Sequence, residues 1–266
     1  VGMIGSTDSH SGLSSAEENN FQGKFAWDSI PEMKSHSLGG IVTGWDMSAS
    51  GLAAVWARKN TREEIFAAFK RREVYGTTGP HMKVRFFGGF NFSPEDADAR
   101  DLAAVGYAKG VPMGADLTGD AATNAPSFLV QAVKDPKDGN LDRVQIVKGW
   151  LGGDGKAQEK VYDVAWSGGR SIGADGKLPP VGNTVNVETA AYQNTIGAPE
   201  LVTVWTDPDF DPAQSAFYYV RVLQIPTPRN SVYDSVALQE APPEGYPTSI
   251  QERAYTSPIW YSPTKG

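Results

Sequence analysis

Two side chains near the start of the chain have the types and spacing of metal ligands. Asp8 and His10 stand in Gly5-Ser-Thr-Asp-Ser-His10, after a short apolar lead over residues 1–4. This lead predicts a short buried strand, in which residues two apart point to the same side. A carboxylate oxygen beside an imidazole nitrogen suits Zn, Mn or Fe. Two ligands do not complete a metal site, however, and Asp-Ser-His is also typical of a solvated turn.

The overall composition narrows the classes of protein to which the chain can belong. Its 266 residues are 40% hydrophobic and 21% charged, as in globular proteins of one large or two ordinary domains. The net charge of −7 disfavours a nucleic-acid partner. The absence of cysteine excludes disulfides, zinc–thiolate sites and cysteine nucleophiles. No apolar run approaches the ~20 residues that a membrane span requires.

One helix is clearly marked in the first third of the chain. Thr61 and Glu64 form a Thr-x-x-Glu capping box, and apolar residues follow at helical spacing. Residues 70–72 place positive charge near the helix C-terminus, and Gly76 offers a stop. The preceding apolar run, 51–57, predicts a short helix or a buried turn.

The turn after this helix contains two candidate substrate-binding residues, Thr78 and His81. The sequence Gly76-Thr-Thr-Gly-Pro-His81 offers two hydroxyls and several backbone N–H groups, a combination that can bind an anion. A tight link to the predicted strand over 82–87 accounts for the same pattern equally well.

Beyond residue 88 the pattern changes to a polar segment over 91–124 and then to short apolar runs separated by turns. Short strands with no intervening helix favour an antiparallel β-sandwich. The predicted strands are 128–133, 143–147, 161–166, 184–189, 201–206 and 216–223.

Ten short blocks in a fixed order carry a family resemblance across essentially the whole chain. They are Gly5-Ser-Thr-Asp-Ser-His10, Ala54-Val-Trp-Ala57, Asn60-Thr-Arg-Glu63, Arg72-Glu-Val-Tyr75, Thr77-Thr-Gly-Pro80, Val84-Arg-Phe-Phe-Gly-Gly89, Gly110-Val-Pro-Met-Gly114, Tyr218-Tyr-Val-Arg-Val222, Pro226-Thr-Pro-Arg229 and Ser257-Pro-Ile-Trp-Tyr261. In this order the blocks resemble the DUF3604 family, which is related to the PHP metal-dependent phosphoesterases within the amidohydrolase-like set of distorted barrels.

The resemblance implies a fold of the α/β plus all-β class. Residues 1–92 would be the C-terminal part of a distorted (β/α) PHP-like barrel, and 93–256 an antiparallel sandwich-like accessory region. Residues 257–266 would be a closing segment that returns to the barrel. Because relatives are usually more than twice this length and the chain starts inside a predicted strand, we expect a C-terminal portion of a longer protein.

The resemblance also implies a chemistry. Asp8 and His10 match the Asp-x-His at the C-terminal end of the last barrel strand, where barrel active sites lie. The activity would be hydrolysis of a small phosphate or sulfate ester by metal-activated water, with two or three Zn, Mn or Fe ions and with Asp8 also orienting the water. The remaining ligands would lie upstream, so the chain alone would be inactive. His81 stands where relatives have Arg. A neutral histidine offers an oxyanion one N–H donor, whereas arginine can donate two in a bidentate pair.

Several alternatives stay open at this point. The strand-rich half could instead be a non-catalytic binding module for carbohydrate or protein, with Trp150, Trp166 and Trp205 as an aromatic platform, although such rings are more often core. Three further residues could join the metal site, but their surroundings in the sequence favour a solvated surface: Glu17, Glu18 and His36. Relatives often carry export signals, which implies a periplasmic or secreted protein without excluding the cytoplasm. The sequence leaves the oligomeric state open.

Overall fold

Two β-sheets dominate the chain, which a computed structural model describes over residues 1–38, 40, 42–118 and 124–263. The strands in chain order are β1 (Ser37–Leu38), β2 (Val42–Thr43), β3 (Leu52–Val55), β4 (Val74–Thr77), β5 (Lys83–Gly89), β6 (Gly110–Pro112), β7 (Asp116–Leu117), β8 (Ser127–Val133), β9 (Leu141–Leu151), β10 (Ala157–Trp166), β11 (Glu200–Thr206), β12 (Ala216–Gln224), β13 (Thr227–Pro228), β14 (Ser249–Ile250), β15 (Arg253–Thr256) and β16 (Ile259–Tyr261). The α-helices of the described residues are α1 (Arg62–Arg71), α2 (Leu102–Lys109) and α3 (Asn230–Leu238).

The larger sheet has the order β10-β9-β12-β15-β4-β3, with every neighbouring pair antiparallel. β16 also pairs with β12 and, in parallel, with β7. The smaller sheet is antiparallel with the order β11-β8-β5-β6. Two short antiparallel pairs, β1-β2 and β13-β14, complete the described strands. Both large sheets therefore combine strands from before and after residue 92.

The main core lies between these two sheets. Along β12 every second residue is buried, as the period of two in a strand requires. Phe128 of the smaller sheet contacts Tyr218 of the larger one, with ring centroids 4.6 Å apart, and also stacks on its sheet neighbour Phe86 at 5.5 Å. Each such buried side chain stabilises the fold by about 1.5–3 kcal/mol.

The observed class is mixed α/β, dominated by sheets with few helices. In the part of the chain that the structure describes, no set of strands closes into a barrel. Five of the six strands predicted beyond residue 127 are confirmed, mostly with longer bounds. The sixth, over 184–189, is wrong, since only an isolated bridge joins Asn186 to Ala191. The Asn186 side chain accepts from the backbone N–H groups of Glu188 and Thr189, a local bond that competes with a ladder.

The strand predicted over residues 1–4 is also wrong, because this segment has no regular secondary structure. It lies instead against the backbone of β4, where a Cβ on Gly76 would stand 2.8 Å from the carbonyl carbon of Ile4, and its Met3 N–H donates to Ser257 Oγ at 2.9 Å. A Cβ on Gly5 would stand 2.4 Å from the Leu52 carbonyl oxygen. Glycine is needed there because only hydrogen allows the two backbones to approach so closely.

The predicted helix is confirmed as α1, and Thr61 caps it by accepting from the Glu64 N–H at 3.3 Å. The last helical residue is Arg71, and Arg72 caps the helix with a left-handed φ of 63°. The helix therefore ends before Gly76, where the sequence analysis expected the stop. The run over 51–57 forms β3 instead of a helix because it pairs with β4. Neither α2 nor α3 was predicted.

Candidate functional site

Asp8 lines a cavity of about 430 Å³ between the N-terminal segment, residues 46–51 and β4. Its backbone is left-handed, with φ 51°. Its carboxylate is exposed, accepts no hydrogen bond and joins no ion pair from any described residue. The carboxylate is therefore free to bind a cation or a donor that enters the cavity.

His10 is exposed and is fixed by its neighbours, not by a strand. Its Nδ1 stands 3.1 Å from the Asp8 carbonyl oxygen, and its ring stacks on Phe25 with centroids 4.4 Å apart. Its backbone N–H donates to the Lys24 carbonyl at 2.7 Å. With Nδ1 donating to the carbonyl, Nε2 is the nitrogen left to accept or to ligate. His10 is not among the residues that line the Asp8 cavity.

Lys24 shares the Asp8 cavity and was not found from the sequence. Its side chain is largely buried, and Nζ donates to the Thr7 carbonyl at 2.6 Å. Burial lowers the pKa of Lys24, and the nearby carboxylates, Asp8 among them, oppose that shift. Asp28 holds this loop by accepting from the backbone N–H groups of Lys24 and Phe25. No spacing rule links Lys24 to Asp8, because tertiary contacts alone bring their loops together.

The turn that carries Thr78 and His81 does not present free backbone donors. The Thr78 N–H donates to the Arg253 carbonyl at 2.9 Å, and the Gly79 N–H donates to Thr77 Oγ1 at 3.3 Å. The His81 N–H donates to Asp135 Oδ2 at 2.7 Å. The proline between them has no N–H. Any anion bound there would have to use side chains.

The two residues of this turn face different cavities. Thr78 lines the cavity of Asp8, whereas the exposed His81 lines a second cavity of about 600 Å³. Glu252 belongs to this second cavity and accepts a hydrogen bond from the Thr78 hydroxyl. Thr78 therefore lines one cavity and is hydrogen-bonded to a residue that lines the other.

The two glutamates of the loop after His10, Glu17 and Glu18, have different environments. Glu18 is buried and accepts from the backbone N–H groups of Ala49 at 2.5 Å and Asn230 at 2.7 Å, which fixes the first turn of α3. Glu17 is exposed at the second cavity. His36 is exposed, with Nδ1 at 3.2 Å from the Met33 carbonyl, and it lines neither cavity.

The three tryptophans of the predicted aromatic platform are all partly buried. Trp150 and Trp205 pack against the main core, and Trp205 also lies 4.8 Å from the Tyr162 ring. Trp166 Nε1 donates to the Arg170 carbonyl at 2.8 Å. None of the three is a freely exposed ring.

Within the described residues, no three His, Asp or Glu side chains are placed to share a metal ion. These residues also include no helix with the length and hydropathy needed to cross a membrane. A family model described as "Protein of unknown function (DUF3604)" matches residues 1–263. No curated protein and no solved structure matches the chain.

Proposed function

The chain belongs to the DUF3604 family, and from this premise we propose that the Asp8 cavity is part of a metal-dependent hydrolase site for phosphate or sulfate esters. The observation that carries the proposal is an unpaired carboxylate on a cavity wall, two residues from a histidine with one free ring nitrogen. We further propose that the site lies at the end of a PHP-like barrel whose other strands and ligands are outside this chain. On family resemblance alone, we place the enzyme in the periplasm or outside the cell.

The chemistry of Asp8 and His10 fits a divalent metal. Metal-binding histidines commonly donate their second ring N–H to a backbone carbonyl or a carboxylate, and His10 Nδ1 has such a partner in the Asp8 carbonyl. Asp8 adds a hard oxygen donor that no described residue occupies. One oxygen and one nitrogen donor suit Zn, Mn or Fe.

When bound, the metal would lower the pKa of a water molecule toward about 7 and so supply a hydroxide nucleophile at neutral pH. Asp8 would hold the metal with one oxygen, and its second oxygen would be placed to accept a hydrogen bond from the attacking water and orient it. Lys24 Nζ uses one donor on the Thr7 carbonyl and has others for the oxyanion of the ester. Thr78 shapes the wall, since its hydroxyl is already bonded to Glu252. His81, in the adjoining cavity, contacts the rest of the substrate.

Substitution in the intact protein that contains this chain tests the proposal. Asp8→Ala and His10→Ala should each lower the bound Zn or Mn measured by elemental analysis. Each should also lower turnover of p-nitrophenyl phosphate or p-nitrophenyl sulfate by more than the roughly 10–100-fold that follows loss of an outer-sphere partner.

Two matched controls separate this effect from general disruption. Asp46→Asn changes another carboxylate of the same cavity, one already engaged by Thr43. His36→Ala removes a histidine whose Nδ1 also faces a backbone carbonyl but which lies outside the cavity. Both controls should keep metal and activity. Unchanged metal content and turnover in the Asp8 and His10 variants would contradict the assignment.

A further inference from the structure

The second cavity is strongly acidic. Its volume is about 600 Å³, and the carboxylates on its walls belong to Glu17, Glu18, Asp135, Asp138 and Glu252. Its cationic or titratable basic groups are Lys137 and His81, both exposed. The rings of Tyr192 and Tyr233 complete the polar lining. This balance of charge attracts cations and repels anions.

Glu252 is the most deeply buried carboxylate of this cavity, and one of its oxygens has no partner among the described residues. The residue is 4% exposed, and Oε2 accepts from the Thr78 hydroxyl. Thr78 Oγ1 already accepts from the Arg253 N–H at 2.8 Å, and the Arg253 carbonyl, at 3.4 Å, is too distant for a normal O–H···O bond. The hydroxyl hydrogen therefore points to Oε2, and a proton on Glu252 resides on Oε1. No described residue bonds to Oε1.

Two further acids of the cavity, the half-buried Asp138 and the buried Glu18, already accept hydrogen bonds from described residues. Asp138 Oδ1 accepts from Gly139 N–H and Gln224 Nε2, each at 2.7 Å. Glu18 accepts from two backbone N–H groups. Their charges nevertheless act on the titratable groups around them.

The same negative potential is visible in these neighbouring groups. Burial raises the pKa of Glu252 to about 8, with Glu18 and Asp138 adding to the shift and with the Thr78 hydrogen bond and Arg253 opposing it. Burial raises the pKa of Tyr192 and Tyr233, and Asp138 raises both further. Glu252 is therefore mostly neutral at pH 7. Its proton resides on Oε1, the oxygen that is free to bind a ligand.

We propose that this cavity binds an organic ammonium group, which forms an ion pair with Glu252 Oε1 as the proton on that oxygen leaves for solvent. The O–H bond of the acid breaks, the proton passes to buffer, and the N–H donors of the ligand bond to the carboxylate. The described side chains of this cavity include no group of three ligands placed to share a bare metal ion. The cavity is large enough for an alkylammonium, and two tyrosine side chains line it.

The release of the Glu252 proton on binding determines how the affinity for the ammonium ligand changes with pH. Only the ionised form of Glu252 pairs with the cation, and the ionised fraction rises about tenfold per pH unit below the pKa. Affinity should therefore rise about tenfold per pH unit from pH 6 and level off above about 8, the pKa of the free site. Salt should weaken it, as for any ion pair.

The test uses the 266-residue chain with n-butylammonium chloride as the probe and n-butanol as the uncharged match. EDTA is present throughout, so the outcome is independent of the metal site proposed for Asp8. NMR titration gives the dissociation constant at each pH, and calorimetry in two buffers of different ionisation enthalpy counts the protons released. We expect close to one proton released per ligand at pH 6.5 and no comparable binding of n-butanol.

The matched variants are Glu252→Gln and Glu17→Gln. The first should weaken binding at pH 8 at least about tenfold and abolish both proton release and pH dependence. The second changes an exposed carboxylate of the same cavity and should keep both. Lack of saturable binding, pH-independent binding, or equal binding of n-butanol would each overturn the proposal. If Glu252→Gln does not fold, the proton count on the unmodified chain decides the question.

Discussion

At the scale of single residues, the most deeply buried ion pair of the described chain lies away from both cavities. Lys148 Nζ stands 2.6 Å from Asp207 Oδ2, with side-chain exposures of 3% and 0%. The same oxygen accepts from the Tyr218 hydroxyl at 2.7 Å, and Lys148 also donates to the Asp209 carbonyl at 2.7 Å. These contacts compensate two charges that are buried away from water. If one partner is removed, the other charge stays buried without compensation, which destabilises the protein.

We predict that Asp207→Asn lowers the free energy of unfolding by about 3–5 kcal/mol, because it leaves Lys148 buried without a counter-charge. Urea denaturation measures the change. The matched control is Asp154→Asn, which breaks a 3.7 Å pair with Lys156 whose side chains are 54% and 79% exposed. That control should cost less than about 1 kcal/mol. Equal losses in the two variants would show that burial does not decide the effect.

The candidate site shows which single residues a sequence can reveal. Asp8 and His10 were found by residue type and spacing, and Thr78 and His81 by their place in a marked turn. Lys24 and Glu252 were missed. Their importance comes from burial and from partners far along the chain, as the bond between Thr78 and Glu252 shows. Spacing rules describe only near neighbours.

At the scale of elements, α2 packs on β5 through a glycine. A Cβ on Gly106 would stand 2.4 Å from Cδ2 of Phe87, a buried ring. The helix is otherwise well started, since the Asp101 side chain accepts from the Ala104 N–H at 3.0 Å. A mid-helix glycine lowers helix propensity by about 1 kcal/mol, which is one reason why the sequence did not mark this helix.

We predict that Gly106→Ala destabilises the protein, although alanine favours a helix by about 1 kcal/mol. Overpacking against Phe87 costs about 1–3 kcal/mol because a Cβ at residue 106 would overlap this buried ring and force it to shift. Thermal unfolding followed by circular dichroism measures the net effect. Gly153→Ala is the control, since a Cβ there meets nothing within 4 Å. A Gly106→Ala variant more stable than the parent would show that the helix can shift away from β5.

At the scale of the whole molecule, the two sheets link distant parts of the chain. β3 and β4 belong to the larger sheet and β5 to the smaller one, beside strands that come after residue 92. Ser257 adds a tie to the start of the chain, since its hydroxyl accepts from the Met3 N–H at 2.9 Å and donates to the Val74 carbonyl at 2.6 Å. Residues 1–92 and 93–256 thus share hydrogen-bond ladders and one core.

We predict a single cooperative unfolding transition, because neither part keeps its sheets without the other. Far-ultraviolet circular dichroism and tryptophan fluorescence should give coincident urea midpoints. Val84→Ala and Val222→Ala remove buried methyl groups on either side of residue 92. Both should lower stability by roughly 1–3 kcal/mol and shift the two probes together. Two separate transitions, each moved by only one of these variants, would show that the parts unfold independently.

The sequence by itself determined the features that depend on local order: the α1 helix, most strands after residue 127, the family, and the pairing of Asp8 with His10 as candidate ligands. Tertiary structure alone decided which sheet each strand joins, that residues 1–4 lie against other backbone as an irregular segment, and that Lys24 and Glu252 line cavities. The reason is physical. Caps, turns and periodicity act within a few residues, whereas burial and electrostatic potential sum over groups that only folding brings together.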